Sequence, residues 1–163
     1  MVVPENVALA AYRRAPEDRG VVEAWVESGG DMNGFFDPDT LEGGREACHP
    51  QLNGLAEGGE PLLLLAVGSS IYDSDNECAY RDRLELIRYL LSRGANPSIA
   101  TAGGVTPLHK LAERPRGRFR FTATNLLCDA GANLEATKRG YTPLARALDL
   151  YHYNNMEFIR LLL

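Results

Sequence analysis

One phrase occurs twice in this chain at a fixed step. It reads Gly104-Val105-Thr106-Pro107-Leu108 and then Gly140-Tyr141-Thr142-Pro143-Leu144, so Gly104 and Gly140 stand 36 residues apart. A second phrase precedes each copy, Leu90-Leu91-Ser92-Arg93-Gly94-Ala95-Asn96 before the first and Leu126-Leu127-Cys128-Asp129-Ala130-Gly131-Ala132-Asn133 before the second. Self-similarity at such a period restricts the fold more than composition does. It specifies a stack of small units, none able to bury its apolar face alone.

The residues of the two phrases carry their own structural reasons. Thr106 and Thr142 suit a helix N-cap, where the hydroxyl accepts from an unpaired backbone N–H, and the prolines that follow suit the first helical position. Gly94 and Gly131 suit the left-handed turn that closes a helix. Between opening and closure lie two apolar stretches, broken by Arg114-Pro115-Arg116-Gly117 in one unit and Tyr151-His152-Tyr153-Asn154-Asn155 in the next. Each unit is therefore a helical hairpin. Two further units read more weakly. Gly59-Glu60-Pro61-Leu62 is a third opening with Glu60 in the capping position and an outer helix over 84–91. Val7-Ala8-Leu9-Ala10-Ala11, with the apolar run that ends at Gly29-Gly30-Asp31-Met32-Asn33, reads as a degenerate first unit without the Thr-Pro signal.

Thr106-Pro107-Leu108-His109 opening one helix and Leu126-Leu127 before Gly131-Ala132 closing the next resemble the ankyrin repeat. The resemblance is best over 84–163. It implies an all-α solenoid of about four helix-turn-helix units, at about 5–33, 59–97, 104–134 and 140–163, within a single domain spanning 1–163. The first and last units are atypical. Residues 34–58 stand out as a long insertion, rich in Gly, Asp, Glu and Pro. A second extra piece, about 69–82, separates the helices of unit two, and a shorter one carries Arg114, Arg116, Arg118 and Arg120 in unit three. Long loops in a compact solenoid are commonly functional or disordered.

The resemblance also implies where a partner binds, on the concave side built by the inner helices and projecting turns. The recognition positions it marks are Ala102, Val105, Glu113 and Arg114 in unit three, and Lys138, Arg139, Tyr141, Asp149 and Leu150 in unit four. Tyr141 is the leading candidate, because tyrosine offers large contact area at low rotamer entropy. Packing against the neighbouring turn is the alternative for it. Arg116 and Arg118 join the set through the run Arg114-Pro115-Arg116-Gly117-Arg118-Phe119-Arg120-Phe121. If Phe119 and Phe121 pack on one side, the arginines project as bidentate donors. A solvated loop, an acidic protein surface and nucleic acid are the three readings of that cluster.

Composition narrows the function classes. A formal net charge of −5 argues against nonspecific nucleic-acid binding. The apolar run Leu62 to Val67, bounded by Pro61 and Gly68, is far below the roughly 20 apolar residues that span a bilayer, and no signal peptide is visible at the N-terminus. Cys48, Cys78 and Cys128 lack framework spacing, which favours free thiols and an intracellular setting, cytoplasmic or nuclear, with a host cell as one possibility.

Catalysis and metal binding find no pattern. Cys48-His49 is an adjacent pair, whereas the partners of thiol nucleophiles converge from distant segments. His109 reads as a scaffold hydrogen-bonding residue, and His152 as a loop residue. The cysteines and histidines lack zinc spacing, and neither Asp37-Pro38-Asp39 nor Asp73-Ser74-Asp75 continues into a calcium loop. No Gly pair sits in a phosphate-binding loop. The expected protein is a noncatalytic adaptor that uses its concave face and insertions to bind a partner protein, with no cofactor, metal, small-molecule ligand or membrane. Two alternatives stand: an activity housed in 34–58, or a scaffold internal to a longer polypeptide. Arg160-Leu161-Leu162-Leu163 ends before a Gly-Ala closure, which leads us to expect either further chain or self-association through an apolar end.

Overall fold

The computed structural model describes residues 2–13, 16–49, 52, 55, 58–68, 77–113, 117–149 and 156–163. Thr106 opens helix α5 (Pro107–Ala112) as the spacing predicts: its Oγ1 accepts the His109 N–H at 3.4 Å, with Pro107 in the first turn. Thr142 does the same for α7 (Pro143–Asp149), its Oγ1 accepting the Ala145 N–H at 3.1 Å.

Helices α2 (Pro16–Glu27), α4 (Glu77–Ser92) and α6 (Arg118–Asp129) all close in one way. Gly29, Gly94 and Gly131 take φ of 94°, 94° and 83°. The next residue's N–H then turns back to the carbonyls of Trp25, Leu90 and Leu127 at 3.0, 3.0 and 2.9 Å. This satisfies carbonyls that a helix end would otherwise leave bare. Past each closure a side chain makes an Asx turn: Asp31, Asn96 and Asn133 accept from Asn33, Ser98 and Glu135 N–H, each at 2.9 Å. Rungs then join successive turns. Asn33 Oδ1 accepts the Asn96 N–H at 2.8 Å, and Ser98 Oγ accepts the Asn133 N–H at 2.7 Å.

With α1 (Glu5–Tyr12), α3 (Leu62–Gly68) and α8 (Met156–Leu162), the described residues hold eight α-helices. Helices α1, α3, α5 and α7 pack in succession as one layer, and α2, α4, α6 and α8 as a second. Each odd-numbered helix also packs on the even-numbered helix that follows it. A single apolar cluster runs through both layers from Val3 to Leu162.

Four expectations need correction. The chain is not wholly helical: β1 (Phe35–Phe36) pairs antiparallel with β2 (Glu60–Pro61), Phe36 opposite Glu60. Glu60 lies in β2 rather than capping α3, and its buried carboxylate accepts from Lys110 Nζ at 2.7 Å. Helix α4 begins at Glu77, so the extra piece in unit two is shorter than 69–82. The alternating arginines do not all project. In a helix, Phe119 and Arg120 both face inward while Phe121 is exposed. The Arg120 guanidinium lies 4.1 Å from the Phe158 ring centroid, and burial brings its pKa down to about 10.

The described residues of segment 34–58 do not all lie outside the core. The segment leaves the stack at β1 and returns at β2, so its ends are clamped together. Pro38 sits in a short 3-10 helix whose N-cap, Asp37, accepts from the Asp39 N–H at 3.0 Å, which accounts for that acidic pair without a cation. Cys48, Leu52 and Leu55 are buried in the same apolar cluster as the helices. The His49 N–H donates to the Glu5 carboxylate at 2.7 Å, and Arg13 Nη2 lies 3.2 Å from His49 Nε2, which fixes the segment along α1. Helix α3 is correspondingly buried on every side from Leu62 to Val67. A helix apolar all round must be covered all round.

The clamp is tight at Gly59. Its φ is 76°, and a Cβ there would lie 2.3 Å from the Phe36 carbonyl oxygen. Gly59→Ala therefore combines left-handed strain with a backbone clash, and we expect a loss of about 3 kcal/mol. Thermal unfolding checks this, and an unchanged Tm would mean that the two strands part at little cost.

Candidate functional site

The open surface lies on α7 and on the turns that precede α5 and α7, and within α5 only Lys110 escapes burial. In the turn before α5, the Thr101 N–H donates to the Val105 carbonyl at 3.1 Å. In the turn before α7, Lys138 and Tyr141 exchange both backbone hydrogen bonds, at 2.9 and 3.0 Å, leaving Arg139 and Gly140 at the tip. Cross-strand partners of this kind share a face, so Tyr141 and Lys138 project to the same side of the turn. Tyr141 remains 46% exposed, and it is not packed away against the neighbouring turn.

His109 locks the two turns into register. Its ring is fully buried. Nε2 lies 2.9 Å from the Tyr141 carbonyl, which can only accept, so Nε2 carries the proton. Nδ1 faces the Thr106 hydroxyl at 2.8 Å and the Thr106 N–H at 3.4 Å. Burial lowers the His109 pKa despite the opposing pull of the Tyr141 carbonyl. A neutral imidazole bonded at both nitrogens is a strut between units, as expected from the sequence, and has no nitrogen left for proton transfer.

Ion pairs then run across the odd-numbered layer. Lys110 on α5 reaches back to Glu60, while Glu113 Oε1 accepts from Lys138 Nζ at 2.8 Å and from Arg146 Nε at 3.0 Å on α7. Arg146 Nη1 also meets Asp149 at 3.2 Å. Burial by itself would raise the Glu113 pKa, but hydrogen bonds from Lys138 and Arg146 outweigh it and hold the carboxyl below its usual range. Glu113 thus pins the second turn to α7.

The structure brings five of the expected residues, Glu113, Lys138, Arg139, Tyr141 and Asp149, into this one region. Ala102 is exposed at the tip of the first turn and Val105 half-buried at its base. Arg118 is exposed at the start of α6, in the other helix layer. Arg114, Arg116 and Leu150 lie outside the described residues, as does His152. Lys110 and Arg146 were not anticipated. A signal for them exists: each stands four residues after the capping threonine, with Glu113 or Asp149 three residues later.

The other candidate pair is placed beside α1. Cys48 is buried, and the His49 ring is directed at Arg13. Burial, reinforced by Asp129, raises the Cys128 thiol, which keeps it protonated near neutrality. Among the described residues, no group of three or more His, Cys, Asp or Glu side chains could hold a metal ion, and no helix is long and apolar enough to cross a membrane.

A family model described as ankyrin repeats (3 copies) matches residues 76–163, the half of the chain that contains both Thr-Pro phrases and the wall just described. The chain belongs to the ankyrin-repeat family. No curated protein matches it significantly. Ankyrin repeats generally mediate protein–protein interaction. The ankyrin match stops short of α1, α2 and α3, yet the Gly29 closure and the Asp31 turn reproduce those at Gly94 and Gly131. The same local geometry extends into the unmatched half.

Proposed function

We propose that this chain is a noncatalytic binding module, a solenoid of four ankyrin units that holds a partner protein on α7 and the 138–141 turn. One observation carries the reading: the odd-numbered layer is buried over α3 and, apart from Lys110, over α5, and it opens over α7. Phe36, Cys48, Leu52 and Leu55 of segment 34–58 are buried in the apolar cluster, whereas Leu148, Asp149 and the tip of the 138–141 turn are exposed. There the rigid turn presents an exposed tyrosine, and rigid aromatic anchors dominate binding energy at interfaces. An intracellular setting, cytoplasmic or nuclear, belongs to the same reading and rests on the unpatterned cysteines.

Fragments of protein selected by display against the intact chain, then titrated calorimetrically, test the proposal. Tyr141→Ala is expected to weaken a selected fragment at least about 10-fold, the scale of an interface hot spot, without altering the unfolding curve. Arg88→Ala, on the exposed side of α4, is expected to leave it unchanged. The reverse pattern would move the site to the even-numbered layer and end this proposal.

A further inference from the structure

The tip of the 138–141 turn is built at a conformational disadvantage. Arg139 has φ 51° and Gly140 φ 83°, and the residues on either side exchange two hydrogen bonds, which makes a two-residue hairpin of the I′ kind. Both tip positions need positive φ, and Asn, Asp or Gly fill them with least strain. Arginine does not. Among the described residues, Arg139 is the only non-glycine with positive φ.

Among the described residues, nothing compensates. The Arg139 side chain is exposed and makes no ion pair or hydrogen bond to a described residue. Its neighbours differ: Lys138 and Arg146 are both held by Glu113, and Arg146 is also held by Asp149. Those four charges balance, so Arg139 leaves the tip with an uncompensated positive charge on a chain whose formal net charge is −5. The corresponding turn before α5, Ala102-Gly103-Gly104, holds no ionisable group at all. The feature is therefore peculiar to one turn and is not a requirement of the repeat.

Resting on the binding role proposed above, we infer that Arg139 is the anchor for a carboxylate on an acidic, extended segment of the partner protein, with the Tyr141 ring packing beside it. The guanidinium fork accommodates a carboxylate through two parallel hydrogen bonds, a geometry that an ammonium cannot reproduce. Glu113 holds the turn rigid, so little ordering is needed on binding.

A library of random twelve-residue peptides on phage, panned against the full chain, provides the probe. Expected are peptides enriched in Asp and Glu, whose affinity falls at least about 10-fold with Arg139→Gln, and equally when the peptide carboxylates are replaced by amides. Arg139→Lys is expected to recover only part of the loss. Arg139→Gly relieves the backbone and is expected to raise Tm by about 2–4 °C while it weakens the same peptides. Peptides that bind the Gln and wild-type forms equally would overturn the assignment of Arg139 and leave the binding role intact. Failure to select any peptide would count against both. Stronger retention of a single-stranded RNA oligonucleotide than of every acidic peptide would overturn the inference in favour of phosphate recognition.

Discussion

Replacing Leu52 by alanine is expected to lower folding stability by about 3 kcal/mol, although the residue lies in a stretch whose composition reads as a surface loop. Leu52 is fully buried, and it shares the apolar cluster with Phe36, Leu55 and the residues of α3. Truncation leaves a cavity in that cluster. Leu52→Asp is expected to prevent folding of the first half, because an unpaired carboxylate would be placed in apolar surroundings. The single tryptophan, Trp25, sits in α2 against the same cluster and provides the readout. Urea unfolding followed by its fluorescence is expected to shift by about 1.5 M for Leu52→Ala, given a slope of about 2 kcal/mol per molar. A midpoint equal to that of the wild type would show that 34–58 is not part of the core.

His109→Ala is expected to be comparably damaging, about 3 kcal/mol, for a different reason. It leaves the Thr106 hydroxyl and the Tyr141 carbonyl without their buried partner and opens a void between α5 and the next turn. The same histidine makes the stack sensitive to acid. Its folded pKa is lowered, so the unfolded chain binds the proton more readily; stability is complete above the ordinary histidine value near 6.5 and is lost as pH falls through the folded value. Glu113 acts in the same direction at lower pH, below the usual carboxylate range, because its folded pKa is also lowered. Unfolding midpoints measured from pH 7.5 down to pH 5 are expected to fall in the wild type and to flatten in His109→Ala. A slope that persists unchanged in the variant would assign the acid sensitivity to another group.

Half of this architecture was legible because the signals were local. A threonine that caps, a proline that fits the first turn and a glycine that closes act through their own backbone, so Thr106, Thr142, Gly94 and Gly131 could be placed without tertiary information. His109 followed from the same phrase. The misreadings came from long-range packing. Segment 34–58 looked like an excursion since Gly, Asp, Glu and Pro outnumber its apolar residues, yet Cys48, Leu52 and Leu55 recur at helical spacing and could have been read as a buried stripe. The arginine and phenylalanine run was read with a period of two; α6 imposes a period of 3.6, which turns Arg120 inward onto Phe158 and Phe121 outward. On the surface formed by α7 and the 138–141 turn, the turn itself is written in the local phrase, whereas Lys110 and Arg146 are tied in only by Glu60 and Glu113, which reach them across units.

The rungs between Asx turns use an asparagine oxygen at one junction and a serine oxygen at the next, with the same main-chain donor position each time. What that seam demands is an atom rather than a residue type. Any side chain able to place an acceptor within reach meets the requirement, so the lettering there is free to drift while the mechanical join persists.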